Sequence, residues 1–560
     1  MTDTNPASNI HFLPGTEFDR IFPQLTPAQI KRISAHGTLR QVKTGEILTD
    51  VGTQTSFFVV KAGQIDVIKI ADKSEEKIAI CGTGQFTGEL TLISGRRSLI
   101  RLCVSESGVV IEVTREDLLR LIQADSELSD IFMQAFILRR AELIAKNASN
   151  VVLIGSTNSS GTLRVKEFLT RNDYPYLYID LERDSGVQEM LDYFQISVED
   201  VPVIICQGEK VLRNPSNQQI ANCLGFNESI DQIHLHDVII IGAGPAGLAA
   251  AVYCASEGLN VVVVESNAPG GQAGSSSKIE NYLGFPNGVS GLELGARALT
   301  QAQKFGAKVL ISRTAKNFSC TRKPYIIELD NGTSLFGRSI IIATGAEYNR
   351  PRLNNYSQFE GVGLYYGATF VESQLCKEQE VVVVGGGNSA GQAAVFLAQY
   401  AKRVYMLIRS NGLAESMSRY LIQRIEENPN IILKTQTEIT SLEGSDFLKS
   451  VSWRDKQSGE VTTHDICHVF FMIGSVPNTA WLNNCVTLDA QGFIKTGSDL
   501  SKDDLDISHW PLGRAPYFFE TSLPGVFAVG DARKGNLKRL ASAVGEGSNA
   551  VFFIHQVLQE

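Results

Sequence analysis

Two stretches of this chain repeat one arrangement: a strand-length apolar run, a cluster of glycines and small residues, a helical stretch and a second apolar run. In the first, residues 238–241 lead into Gly242-Ala243-Gly244-Pro245-Ala246-Gly247, a helix follows over 248–255, and the run 261–264 ends in Glu265. In the second, residues 381–384 lead into Gly385-Gly386-Gly387-Asn388-Ser389-Ala390, a helix over 390–400 and the run 404–408, followed by Arg409. A parallel βαβ unit is the expected result. Its glycines admit a tight turn and close approach of a pyrophosphate, which meets the free N–H groups and positive dipole end of the helix N-terminus. A lone glycine triplet is weak evidence, but strand, triplet, helix, strand and terminal acid in register make a strong dinucleotide-binding signature.

The two units differ where the second strand ends. Glu265 lies 21 residues after Gly244, where a carboxylate can take ribose hydroxyls. Arg409 holds the corresponding place in the second unit, and a cation there suits the 2′-phosphate of NADPH better than the bare ribose of NADH. The alternative is a solvated surface arginine beside Lys402 and Arg403, with NADH as donor. Two unlike nucleotide sites imply two cofactors, one held tightly and one exchanging.

With 560 residues the chain is too long for one core, and three or four domains are expected. A hydrophobic share of 43% with 20% charged residues fits a soluble globular protein. No apolar run approaches a membrane span, and the start, Met1-Thr2-Asp3-Thr4-Asn5, shows neither a basic nor an apolar stretch of a secretory signal. The net charge of −9 argues against a general nucleic-acid binder. Nine cysteines are scattered at 81, 103, 206, 223, 254, 320, 376, 467 and 485, and none has another three residues away. That distribution reads as neither a disulfide scaffold nor a metal cluster, and the cytoplasm is the expected compartment.

Three segments follow from the pattern changes. Residues 1–147 read first as short strands punctuated by Gly45, Gly52, Gly63, Gly82 and Gly84, the pattern of a small β-barrel, and then as one long helix over 118–145. Residues 148–230 alternate: strand 151–154, helix 163–171, strand 176–179, helix 186–194 and strand 203–205, an α/β arrangement. Residues 236–560 hold both nucleotide units.

Over nearly all of 236–560 the chain resembles the thioredoxin-reductase family of flavoproteins. The matching stretches are Gly270-Gly271-Gln272, Glu280-Asn281-Tyr282, Ala343-Thr344-Gly345, Gly474-x-x-Pro477-Asn478-Thr479 and Pro524-Gly525-Val526-Phe527-Ala528-x-Gly530-Asp531, then Ala541 ahead of Ala543-x-Gly545-Glu546-Gly547. The resemblance implies two three-layer Rossmann-like domains, FAD in one split across 236–350 and 480–560 and NADPH in one at 351–479. It also implies a homodimer and a domain rotation at the flavin. Glu265, Gln272, Asn281 and Asp531 carry over as FAD contacts, Asp531 on the ribitol hydroxyls.

The departures matter equally. Gly367 and Phe370, in Tyr366-Gly367-Ala368-Thr369-Phe370, stand where that family has its two redox cysteines, so the catalytic dithiol is unassigned. The family's phosphate clamp survives only as Ile408-Arg409-Ser410, with Arg419 nearby. Cys376, beside Glu372, Lys377 and Glu378, reads as an ordinary residue before a strand. Tyr365, Tyr366 and Phe370 either pack near the flavin or fill the core.

Thr44-Gly45-Glu46-x-Leu48, Gly52, Gly63 and Phe86-x-Gly88-Glu89-Leu90-x-Leu92 through Arg97 resemble cyclic-nucleotide-binding domains over 12–145. The resemblance implies a jelly-roll barrel. A short helix after Gly88-Glu89 would offer N–H groups to a cyclic phosphate, with Leu90 beside it. Glu89 would accept the ribose 2′-hydroxyl and Arg97 would pair with the phosphate, ahead of Ser98. The Glu89–Arg97 segment is slightly short, and Ser98-Leu99 replaces the usual small pair, so a purely structural domain stays open against binding of cyclic AMP or a related nucleotide. Residues 150–225 resemble the glutaredoxin/thioredoxin fold, with Asp200-Val201-Pro202-Val203 where that fold places a cis-proline. Its redox cysteines should fall near Ser159 to Thr162 and are absent. Cys206 and Cys223 read as buried thiols, and the module as a docking or spacer domain.

The expected function is NAD(P)H-dependent oxidoreduction through FAD. The acceptor would be something other than an internal disulfide: a ferredoxin, flavodoxin, quinone or dioxygen. The alternatives are a thioredoxin-disulfide reductase using an external dithiol, a ferredoxin–NADP reductase, or a nucleotide or redox sensor with incidental turnover.

Overall fold

A computed structural model describes residues 18–71, 74–145, 151–157, 159–182, 197, 200–206, 210–227 and 234–560. The expected helix over 186–194 lies outside them. At the N-terminal end, five antiparallel strands, Thr38–Val42, Ile47–Thr49, Phe57–Ala71, Ser74–Cys81 and Arg101–Val113, form one sheet. Their apolar face closes against helices over Phe57, Phe86, Phe132 and Phe136, with ring centroids 4.9–6.3 Å apart. The single helix expected over 118–145 is two, Arg115–Ala124 and Ser126–Ala145. Asp125 between them is extended, and its carboxylate accepts the Leu128 N–H at 3.1 Å. A local side-chain cap thus overrides continuous apolar periodicity.

The middle module is a four-stranded mixed sheet. Val151–Gly155 pairs parallel with Leu177–Asp180 and antiparallel with Val203–Cys206, which in turn pairs with Lys210–Arg213. Helices Ser160–Arg171 and Asn217–Leu224 cover it. The Val201–Pro202 peptide is cis, as the sequence led us to expect. A Cβ on Gly161 would lie 2.9 Å from Pro202 Cδ, so the start of the first helix sits directly on that proline.

The third segment carries two parallel sheets. In one, Leu235–Ile241 lies between Val261–Glu265 and Ser334–Ile342, extended by Lys308–Ile311 and Val526–Ala528, with an antiparallel flank of Tyr325–Leu329 and Ala315–Ser319. In the other, Glu380–Val384 lies between Arg403–Leu407 and Val469–Phe471. Both central strands are Val/Ile runs buried on both faces, as parallel sheets require. Two short strands, Ala346–Tyr348 and Ser475–Pro477, pair antiparallel where the chain crosses between the sheets. No helix among the described residues is long and apolar enough to cross a membrane.

Two cysteine readings need correction. Cys320 and Cys485, 165 residues apart, are joined in a disulfide. Cys206 and Cys223, read as buried thiols, have Sγ atoms 3.0 Å apart, and Cys223 is only half-buried. Sequence spacing carries neither contact, because both depend on which strands and helices the fold brings together.

The middle module is bound on both sides. Arg96 Nη1 and Arg140 Nη2 of the N-terminal domain donate to the Asn172 and Asp173 carbonyls at 2.8 and 2.5 Å. On the other side Leu163 joins the apolar core of the second parallel sheet. Glu167 hydrogen-bonds the carboxyl of Glu372, which is fully buried at 2% exposure. Burial and this second carboxylate push the Glu167 carboxyl well above the ordinary range. A raised carboxyl pKa stabilises the packed state fully below about pH 4.3 and loses that stabilisation as pH rises through the raised value. Glu167→Gln keeps the hydrogen bond without the charge. It should raise the melting temperature at pH 8 by roughly 2–4 °C and do nothing at pH 4.5. An equal offset at both values would remove the raised Glu167 carboxyl from the account.

Candidate functional site

The first nucleotide unit is built by close backbone approach. A Cβ on Gly247 would lie 1.9 Å from the Gly242 carbonyl oxygen, and one on Gly242, at φ +108°, would lie 2.3 Å from the Ala343 carbonyl oxygen. Only glycine permits this packing. Gly244 is the N-cap of helix Pro245–Ser256, with Pro245 at its first turn, so the helix opens with free N–H groups. Ala246 packs beneath it: a Cβ on Gly547 would meet its carbonyl oxygen at 2.0 Å, and one on Gly530 would meet its Cβ at 3.1 Å. The last helix, Leu540–Gln559, is thereby held against the first; Ala541 in its opening turn is exposed.

Glu265 ends its strand inside this cradle. Its two carboxylate oxygens accept the Ala243 and Asn267 N–H groups, each at 2.8 Å. Burial pushes its carboxyl upward, and the two N–H donors oppose that. Gly271 faces the helix start, where an added Cβ would lie 2.9 Å from Gly244 Cα. Gln272 Nε2 donates to the Ala346 carbonyl at 2.5 Å, Thr344 Oγ1 to the Asn478 carbonyl at 2.8 Å, and Asn478 N to the Gly345 carbonyl at 3.1 Å. These bonds fasten the loop after the strand to both crossings. Asp531 follows Gly530, whose N–H is held by Glu546 at 2.7 Å. Asp531 accepts no hydrogen bond among the described residues, and burial raises its carboxyl while Lys538 lowers it. Asn281 is exposed on the adjoining loop. Glycines without room for a Cβ, a helix N-terminus, a strand-end acid and an unpaired carboxylate together fit a dinucleotide such as FAD.

The second unit repeats the backbone device. A Cβ on Gly385, at φ +138°, would lie 2.3 Å from the Met472 carbonyl oxygen, and Gly387 caps helix Asn388–Leu397. Ala390 is buried beneath it and Ser389 exposed. Ser416 Oγ donates to the Gly386 carbonyl at 2.8 Å, and Asn388 Oδ1 accepts the Ser418 N–H at 2.7 Å. The loop after Arg409 is thus fixed over the glycines. Arg409 and Arg419 are both exposed at its ends.

In the stretch Tyr366–Phe370, a Cβ on Gly367 would lie 3.4 Å from Ser275 Cβ of the first nucleotide domain. Thr369 caps the following helix, Phe370–Leu375, with Glu372. Phe370 is 64% exposed, while Tyr365 is buried against His468 and Tyr366 stacks on Tyr348 at 6.2 Å. Core filling therefore describes Tyr365 and not Phe370. Cys376 is fully buried at the helix end. The middle module's helix start faces this same region: Ser160 Cβ would be 3.0 Å from a Cβ on Gly361. Arg171, which the sequence did not single out, donates from that module to the Gly271 carbonyl at 2.8 Å. Sequence carried no signal for Arg171 or Ser275, since each acts across a domain boundary.

In the N-terminal domain Gly88 is at φ +105° and its carbonyl accepts Arg139 Nη1 at 2.9 Å. Leu90 precedes the short helix Thr91–Ser94. Glu89 is buried; its Oε2 has no hydrogen bond and its ion-pair partner is Arg140 at 3.7 Å. Arg97 is exposed and lies along Gly225 of the middle module, where an added Cβ would meet its Nε at 2.7 Å. Ser98 is buried, with Oγ donating to the Ile100 carbonyl at 2.9 Å. No hydrogen bond or ion pair joins Arg97 to Glu89 among the described residues.

The comparisons agree with this geometry. Residues 236–547 match the pyridine nucleotide-disulphide oxidoreductase model and residues 39–125 the cyclic nucleotide-binding domain model. A thioredoxin reductase of Ureaplasma parvum serovar 3 is 34% identical over 58% of this chain and 97% of its own length. NADPH-dependent thioredoxin reductase 3 of Arabidopsis thaliana is 31% identical over 58% of each. The solved thioredoxin reductase of Lactococcus lactis superposes with TM-score 0.52 at 27% identity, over 58% of this chain and 100% of that one. The chain therefore belongs to the pyridine nucleotide-disulphide oxidoreductase family, as a thioredoxin-reductase-like NAD(P)H-dependent flavoprotein oxidoreductase that also carries a cyclic nucleotide-binding domain.

Proposed function

We propose that this chain is an NADPH-dependent FAD oxidoreductase whose electron acceptor is not a disulfide of its own nucleotide domains. The observation that carries the reading is the junction at Gly367 and Phe370, the expected place of that family's two redox cysteines, where Gly367 lies against Ser275 and Phe370 is exposed. When bound, FAD supplies the hydride-accepting ring and NADPH the hydride. Gly242, Gly244, Gly247 and the start of helix Pro245–Ser256 hold the FAD pyrophosphate, Glu265 the adenosine ribose, and Asp531 the ribitol. Gly385, Gly387 and Asn388 hold the NADPH pyrophosphate, and Arg409 the 2′-phosphate. FAD belongs to residues 236–350 and 480–560, and NADPH to 351–479. The acceptor is a ferredoxin, flavodoxin, quinone or dioxygen, or thioredoxin through an external dithiol. A homodimer in the cytoplasm is the working assembly and place.

Residues 148–230 act as a thioredoxin-like docking module without redox cysteines at the start of its first helix. That helix start sits on Pro202, and its Ser160 lies against Gly361. Residues 1–147 act as a cyclic-nucleotide-type regulatory domain. Glu89 Oε2 is buried with no hydrogen bond, only the Arg140 ion pair at 3.7 Å, which favours a ligand hydroxyl there. A sensor reading rests on that same atom.

Anaerobic mixing of the holoprotein with NADPH should bleach the flavin within seconds, and NADH should do so more slowly. A yellow protein that both nucleotides leave unchanged would overturn the reductase reading in favour of a sensor. Arg409→Ala should raise KM for NADPH about tenfold, equivalent to about 1.4 kcal/mol, with KM for NADH unmoved. Equal loss with both donors would show that Arg409 does not read the 2′-phosphate.

A further inference from the structure

The middle module has no Cys-x-x-Cys, yet it holds two thiols in contact. Cys206 ends the strand Val203–Cys206 and is buried; Cys223 lies in the last turn of helix Asn217–Leu224 and is half-buried. Their Sγ atoms are 3.0 Å apart across 17 residues of sequence. A small crevice of about 10 Å³ reaches both, walled by Gly52, Arg97 and Ser98 of the N-terminal domain and by Tyr174. The dithiol thus lies at the boundary between two domains, against the exposed arginine that the sequence analysis assigned to a cyclic phosphate.

The environments of the two sulfurs differ. The hydrogen bond with Cys223, and then burial, push the Cys206 thiol far up, so it stays protonated. Cys223 is pulled down to about 7: the Cys206 hydrogen bond is the largest cause, with Lys210 and Arg97 adding positive charge against a desolvation penalty. One sulfur is therefore set as a thiolate nucleophile and the other as a neutral thiol within bonding reach of it. The crevice has room for about one water. Cys223 is half-buried, so small reagents reach its sulfur.

We propose that Cys206 and Cys223 are a peroxide-reactive pair that closes reversibly to a disulfide at the boundary between the N-terminal domain and the middle module. The Cys223 thiolate attacks one oxygen of hydrogen peroxide. The S–O bond forms as the O–O bond breaks, and hydroxide leaves to take a proton as water. Cys206 sulfur then attacks the Cys223 sulfenic sulfur. The S–S bond forms, the S–O bond breaks, and the departing hydroxide takes the Cys206 proton as a second water. In total two thiols lose two electrons and one peroxide becomes two waters. A small dithiol returns two electrons and two protons and reopens the pair. Oxidation removes the thiolate that faces Arg97, so the redox state of the pair alters the electrostatic surroundings of that arginine. The chemistry of the pair does not depend on any cyclic nucleotide binding.

The full chain, reduced and freed of reductant, is treated with hydrogen peroxide, quenched with an alkylating reagent and mapped by peptide mass. Cys206 and Cys223 should lose alkylation together and appear as one linked peptide pair, which dithiothreitol reverses; mapping separates them from the partly exposed Cys103 and Cys467. In Cys206→Ser, dimedone should trap Cys223 as the sulfenic acid. The rate of Cys223 alkylation should titrate near pH 7 in the wild type and at higher pH in Arg97→Gln. Full alkylation of both residues after peroxide, or oxidation of Cys223 to sulfinic acid with no linked pair in the wild type, would overturn the proposal. An alkylation midpoint at the ordinary thiol value of about 8.5 would overturn the activation of Cys223. None of these readouts involves flavin turnover or cyclic nucleotide, so they are independent of the oxidoreductase reading.

Discussion

The contact on which this molecule depends is backbone against backbone. The Gly247 Cα sits so close to the Gly242 carbonyl that a methyl group there would overlap it at 1.9 Å. That approach lets helix Pro245–Ser256 lie against its strand and open its first turn toward the glycine loop. The last helix is brought in by a second approach of the same kind, Gly547 against Ala246 at 2.0 Å. Gly530 and Glu546 then bring Asp531 to the rim. Gly385 repeats the device in the inserted domain against Met472. Adding one Cβ at any of these positions would force the helix off the sheet and take with it the dipole end that an anionic ligand needs.

The two nucleotide domains and the middle module meet around one short stretch. Gly367 leaves a short gap to Ser275 of the first nucleotide domain, and Phe370 turns to solvent. The middle module reaches the same junction with its own helix start, and Arg171 ties it to the Gly271 carbonyl at 2.8 Å. The Glu167 carboxyl, raised by burial and by Glu372, closes that contact. A module so fastened cannot move away from the nucleotide domains without rehydrating Leu163 and breaking these polar contacts. The N-terminal domain holds this module through Arg96 and Arg140 on the Asn172–Asp173 turn and also touches the first nucleotide domain directly, Gln123 Nε2 donating to the Lys304 carbonyl at 3.2 Å.

How much of this was legible in sequence follows from how local each feature is. The two nucleotide units were legible because glycine, helix start and strand-end acid lie within about 25 residues and their chemistry is that of the backbone. Pro202 was found in the cis form for the same reason: its neighbours carry the signal. The helix over 118–145 misled because apolar spacing runs unbroken through Asp125, whose carboxylate caps the second helix and stops the first. Cys320–Cys485 and the Cys206–Cys223 contact were invisible, since neither spacing nor composition fixes which strand ends meet. Arg97 was picked out for a phosphate. That it lies on Gly225 of another domain could come only from the packing.

The central claim is that electrons entering from NADPH meet no second two-electron store beside the flavin. An anaerobic reductive titration of the FAD-loaded chain carrying Cys206→Ser, which removes the one free cysteine pair in contact among the described residues and leaves the Cys320–Cys485 disulfide in place, tests it directly. The account predicts complete bleaching at one equivalent of NADPH per flavin. A requirement for two equivalents would reveal a disulfide drawing on the flavin and contradict the account.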